Sequence, residues 1–126
     1  MELMTGRIRK ALVVALGAAT AVVMAIGPAQ AQAAAPWANC PDGAVCLYPE
    51  GQDPAQSPSQ IFWSYGAHNL SGQNNWHWIL NNQYGGAHAK LCDGYNGTGY
   101  CHGDMAPQNG WWAYFTPINS VVLYLP

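Results

Sequence analysis

Asn81–Cys101 reads NNQYGGAHAKLCDGYNGTGYC. It predicts a turn, a strand and a tight loop closed by two cysteines. Tyr84-Gly85-Gly86 is the turn. Ala87 to Leu91 alternates, with Ala87, Ala89 and Leu91 on one face and His88 and Lys90 on the other, the period-2 pattern of a half-buried strand. Cys92 and Cys101 then bracket DGYNGTGY, a segment with three glycines and two tyrosines. Such a loop is either a clasp that closes a hairpin or a surface presented to a partner.

Upstream, the N-terminus has the order of a secretory signal. Arg7, Arg9 and Lys10 form a basic region, and Ala11 to Ile26 is an uncharged run of small and apolar residues. Gly27-Pro28 breaks it, and small-x-small triplets follow, with cleavage expected after Ala31, Ala33 or Ala35 and Ala33 preferred. The run is shorter than the roughly 20 residues that span a bilayer, so export and release are expected rather than anchoring. Residues 1–33 are thus assigned to the signal peptide and 34–126 to a single domain.

Within 34–126 only Lys90 is basic, against Asp42, Glu50, Asp53, Asp93 and Asp104, a balance of −4 with His neutral. That lacks the basic patch nucleic-acid binding requires, and it disfavours an anionic membrane surface. A domain this small buries a limited share of its surface. All 15 aromatic residues and all four cysteines fall in this part, and an exported chain matures where disulfides persist. Four cysteines permit three pairings, and the sequence alone does not choose between them. The spacing suggests the local pairs Cys40–Cys46 and Cys92–Cys101.

Cys40-Pro41-Asp42-Gly43 is a turn and Ala44 to Tyr48 a first strand. Pro49 to Gln60, with three prolines, is an irregular loop. Ile61 to Tyr65 reads as a strand and Gly66 to Asn75 as polar loop. Trp76 to Leu80 alternates, with Trp76, Trp78 and Leu80 on one face and His77 and Ile79 on the other. Gly103 to Gly110 reads as loop, Trp111 to Phe115 and Val121 to Leu125 as the last strands. Short strands between Gly, Asn and Pro, with no sustained 3.6-residue period, predict an all-β sandwich or barrel.

No catalytic constellation emerges. The cysteines are even in number, and Ser64, Ser71 and Ser120 lie in no nucleophile motif, so the chain is expected to be non-enzymatic. His68, His77, His88 and His102 fit no metal-ligand spacing. His77 and His88 are expected on outward faces, as cross-strand neighbours if the Trp76 and Ala87 strands form a hairpin. The five acids occupy turn-like segments, where Asp is common for local reasons. No metal or cofactor is expected.

The aromatic excess carries more information. Adjacent strand residues face opposite ways, so Trp111 and Trp112 share a core only if the strand is covered on both sides or bulged. Trp37, Trp111 and Trp112 are therefore candidate exposed aromatics, fitted to protein or carbohydrate contact. Alternatively, the Pro49–Gln60 loop seals the second face. The clasped loop offers Cys92, Asp93, Gly94, Tyr95 and Asn96 as a candidate binding segment, because a closed short loop loses little entropy on binding.

Cys40-Pro41-Asp42-Gly43-Ala44-Val45-Cys46-Leu47-Tyr48 resembles the C-P-x-G-x-x-C-x-Y opening of the small secreted actinobacterial metalloproteinase inhibitors. Trp78, Tyr84 and Gly86 resemble the aromatic, five residues, aromatic, any, Gly pattern of a crystallin Greek key, and Ser120 its closing serine. The resemblance implies a βγ-crystallin-like sandwich of two Greek-key motifs, two local disulfides, and a rigid reactive loop within the second. It implies a monomeric extracellular inhibitor whose partner is a peptidase. In that family an apolar residue follows the first cysteine of the loop; here Asp93 stands there. A glycan or cell-wall binding module is the other expectation, motivated by aromatics with little charge.

Overall fold

Alternating apolar residues at 45–47, 76–81, 88–92 and 120–124 supply the central strands of two antiparallel sheets. The computed structural model describes residues 37–126. The signal-peptide and cleavage-site expectations lie outside these residues. The elements are β1 (Val45–Leu47), β2 (Gln60–Phe62), β3 (Gly66–Asn69), β4 (Trp76–Asn81), β5 (His88–Cys92), a 3-10 turn (Tyr95–Gly97), β6 (Cys101–Met105), β7 (Asn109–Tyr114) and β8 (Ser120–Tyr124). The protein is all-β, with strand orders β2-β1-β4-β7 and β3-β8-β5-β6 and disulfides Cys40–Cys46 and Cys92–Cys101. The local pairing that the spacing suggested is the one present.

The two sheets have the same plan. Taking β1–β4 and β5–β8 as halves, each sheet contains the first, second and fourth strands of one half and the third strand of the other. Ser120 of β8 stands opposite Cys92 of β5. Extending the β1/β4 register two residues beyond Leu47↔Ile79 sets His77 opposite Pro49. Ser120 and His77 each bond backbone just past their half's first strand, from opposite faces of their sheets.

Between the sheets lies the main core, including Val45, Leu47, Ile79, Ala89, Leu91, Met105, Phe115, Val121 and Leu123. Each fully buried aliphatic side chain contributes about 1.5–3 kcal/mol. A second apolar cluster, Cys40, Ala44, Cys46, Tyr48 and Leu80, lies on the other face of β1 and β4. There Tyr48 donates its hydroxyl proton to Ala38 O at 2.7 Å. The first sheet is thus covered on both faces over part of its area.

Four expectations are corrected. Gly66–Asn69 is a strand, not loop, and the expected Gly103–Gly110 loop is shortened by the strand Cys101–Met105. Both strands sit at sheet edges with one partner each, so they form without a continuous apolar face. His77 is not outward: it is buried, with Nδ1 2.6 Å from Tyr48 O and Nε2 2.8 Å from Asn74 O. Nor is it a neighbour of His88, because β4 and β5 belong to different sheets.

The connection between those sheets is unexpectedly polar inside. Asn81, Asn82 and Gln83 are all buried. The chain leaves one ladder there before joining the other, and side-chain amides replace the missing partners. Asn81 Nδ2 donates to Ala87 O at 3.1 Å and Met105 O at 2.8 Å. Its Oδ1 accepts from Gln83 N and Gln83 Nε2. Asn82 Nδ2 donates to Cys40 O at 2.8 Å, fixing the first disulfide loop to the same crossing.

Candidate functional site

The outer face of the first sheet carries an aromatic array. The β4/β7 register pairs Trp76 with Tyr114 and Trp78 with Trp112. Residues two apart on a strand share a face, about 6.6 Å apart at ~3.3 Å rise per residue. The four rings therefore form a two-by-two block. Ring centroids are 6.1 Å apart for Trp76–Trp112, with planes within 18°, 5.5 Å for Trp76–Tyr114 and 5.7 Å for Trp78–Trp112. Trp76, Trp112 and Tyr114 are 46%, 37% and 48% exposed. That is much open aromatic surface for side chains that each bury about 150–250 Å² when covered.

One end of this face is closed. Asp53 in the Pro49–Gln60 loop accepts the Trp78 indole proton at 2.9 Å, drawing the loop over Leu80. The loop is itself braced by Gln52, whose Oε1 accepts from Gln56 N and Ser57 N. Trp37 lies against Gly110, where a β-carbon would collide with Leu80. Together Trp37, Ala38, Pro54, Ala55, Trp78 and Leu80 line an apolar pocket of about 200 Å³. The loop seals one end of the face; the block of four rings stays open beyond it. Trp111 turns the other way and packs against the main core.

The clasped loop has a different character. Cys92 and Cys101 are directly opposed on β5 and β6, with Cα atoms 3.9 Å apart. Within the loop Asp93 N donates to Tyr100 O, Gly94 N to Thr98 O and Thr98 N to Tyr95 O. Ser120 Oγ donates to Gly94 O at 2.7 Å and accepts from Gly97 N at 2.9 Å. Asn119 Nδ2 donates to Asp93 O, and Asn69 Oδ1 accepts from Asn96 N. Asn96 and Gly97 both hold positive φ, near +60° and +73°, which Asn and Gly adopt most readily. The backbone between Asp93 and Thr98 is thus largely occupied internally. The side chain of Tyr95 remains 55% exposed.

On the second sheet, His88 Nδ1 lies 2.7 Å from Asp104 Oδ1, Tyr124 donates its hydroxyl proton to the same carboxylate, and Lys90 Nζ stands 4.7 Å from the Tyr124 ring centroid. The Tyr124 and His88 bonds hold the Asp104 carboxyl below its usual range. Partial burial and the Asp104 bond push Tyr124 up to about 12. Asp93 and His102 form a second such pair at 2.7 Å. Among the described residues no group of three or more His, Cys, Asp and Glu gathers to hold a metal.

The Trp76/Trp78 alternation was visible in the sequence, and Trp112/Tyr114 repeats it. Their adjacency was not, because no local pattern states that β4 pairs with β7. The Asp104–His88–Tyr124 cluster also went unread, since it joins three strands. Comparison with protein-family models, curated proteins and solved structures finds no match for this chain. What fold and surface define is a small all-β, two-sheet domain with two local disulfides and an open aromatic face.

Proposed function

We propose that the protein is a secreted, non-catalytic binding module for polysaccharide. The observation that carries this reading is the array of Trp76, Trp78, Trp112 and Tyr114. Pyranose rings present axial C–H groups on one face, and aromatic rings receive them by dispersion and burial of apolar area. Indole and phenol edges add donors for hydroxyl groups. The block is set on two paired strands, so its rings are held in place before a ligand arrives. The low charge of the domain fits an uncharged polymer. The test is quenching or blue shift of tryptophan fluorescence on adding soluble oligosaccharides, together with pull-down on insoluble glucan and chitin. Trp112→Ala is expected to weaken binding at least about tenfold; no binding to any neutral polysaccharide overturns the reading.

A second reading, inhibition of an extracellular peptidase, is favoured by the rigidity of the clasped loop. With its backbone largely occupied, Tyr95 would be inserted as a side chain rather than pairing as a strand. Inhibition of thermolysin-like or subtilisin-like peptidases at micromolar concentration, lost in Tyr95→Ala, is its test. The finer architecture, a pair of βγ-crystallin-like Greek keys, is supported by the exchanged third strands and by the docking of Ser120 on the following loop. That loop is Gly94–Gly97; the Tyr84–Gly86 turn instead lays its tyrosine ring over Gly43.

A further inference from the structure

We infer that the polymer is built of N-acetylated amino sugars, and that the pocket beside Trp78 receives their acetamido methyl group. The inference rests on the polysaccharide reading above. Trp78 belongs to both features: its ring meets Trp112 in the array and walls the pocket. A sugar stacked on the Trp78 end of the array therefore has the pocket within reach of a ring substituent. The pocket is apolar, formed by two indoles, two alanines, a proline and a leucine. A hydroxyl group entering it would give up water for no partner, which costs free energy. A methyl group entering it gains by burial.

The rim supplies what the amide needs. Asp53 commits Oδ1 to the Trp78 indole, and its side chain is on the exposed side of the loop. Asp53 adjoins Pro54 of the pocket lining, and its second carboxylate oxygen is an acceptor suited to an amide N–H. Charge narrows the choice further. The five acids and single lysine of residues 37–126 disfavour anionic polymers. A deacetylated polymer keeps the charge attraction to Asp53 but has no methyl for the pocket. An acetylated neutral polymer satisfies both features.

The test measures affinity of the purified chain for N-acetylglucosamine hexamers, glucose hexamers and glucosamine hexamers by titration calorimetry. The acetylated hexamer is expected to bind at least about fourfold tighter than the glucose hexamer, the ratio that burial of one methyl supplies. Saturation of the acetyl methyl resonance is expected to transfer to the Trp37 and Trp78 rings. Ala55→Leu, which fills the pocket, is expected to bring the ratio near one; its unfolding midpoint and near-ultraviolet circular dichroism report that it folds. Equal binding of acetylated and glucose hexamers by the unaltered chain, or tighter binding of the glucosamine hexamer, overturns this inference but leaves the polysaccharide reading standing. Binding to none of the three overturns both.

Discussion

Replacing Asn81 by leucine removes the polar pin between the two sheets while keeping the branching and heavy-atom count of the side chain. Asn81 is fully buried and its amide makes four hydrogen bonds, to Ala87 O, Met105 O, Gln83 N and Gln83 Nε2. Gln83 Nε2 keeps a second acceptor in His88 O. The other three groups lose the partner that Asn81 supplied. A buried group left unsatisfied costs about 1–3 kcal/mol, and added apolar burial offsets part of the total. The expected loss is about 3–5 kcal/mol, a large fraction of the roughly 5–15 kcal/mol that stabilises a domain. At about 4–8 °C per kcal/mol for a chain of this size, the thermal midpoint falls by roughly 12–40 °C. Asn81→Asp supplies the discriminating control. An ionised carboxylate cannot donate to the two carbonyls it would face, and burial also opposes its charge. Its folded pKa is therefore raised, so its deficit is smallest below the unfolded value of about 3.9 and grows as pH rises through the folded value. Chemical unfolding of the three chains at pH 3 and pH 7 measures this. A loss under about 1 kcal/mol for Asn81→Leu, or an Asn81→Asp chain as stable as the parent at pH 7, refutes the pin.

Ser120→Ala takes both partners from the clasped loop and is expected to cost about 2 kcal/mol; faster hydrogen exchange at Gly97 N–H, with the disulfide intact, checks the cause. His77→Ala removes the ring donor between Tyr48 O and Asn74 O and opens a cavity beside Phe115, whose ring centroid is 5.2 Å away, for an expected loss of about 2–4 kcal/mol in urea unfolding. Burial pushes Tyr48 up to about 12 from 10.0. The stability from keeping it protonated is present below pH 10 and lost as pH rises to about 12, so Tyr48→Phe is expected to flatten the alkaline fall in unfolding midpoint. Replacing Cys92 and Cys101 together by serine is expected to cost about 2–3 kcal/mol by freeing the loop in the unfolded chain; equal midpoints for reduced and oxidised protein would contradict this.

The sequence by itself determined the fold class. Period-2 alternation at Ala87–Leu91, short apolar runs elsewhere and turn residues between them specify strands, because side chains on a strand alternate faces whatever lies next to it. It also limited the chemistry, with no metal spacing or nucleophile motif to build upon. The cysteine spacing favoured local bridges, and both bridges are local. Tertiary structure decided everything that depends on which strand lies beside which. Gly66–Asn69 and Cys101–Met105 became strands because a neighbouring edge offered hydrogen bonds, not because their own side chains demanded it. Asn81, Asn82 and Gln83 look like surface residues and are buried, because the crossing between sheets needs amides that both donate and accept. His77 faces the core because its ring finds backbone carbonyls of Tyr48 and Asn74 there. The aromatic block is the clearest case. Trp76 and Trp78 are 34 or more residues from Trp112 and Tyr114 along the chain. Only the β4/β7 register brings them together, and only the reach of the Pro49–Gln60 loop decides how much of their surface stays open.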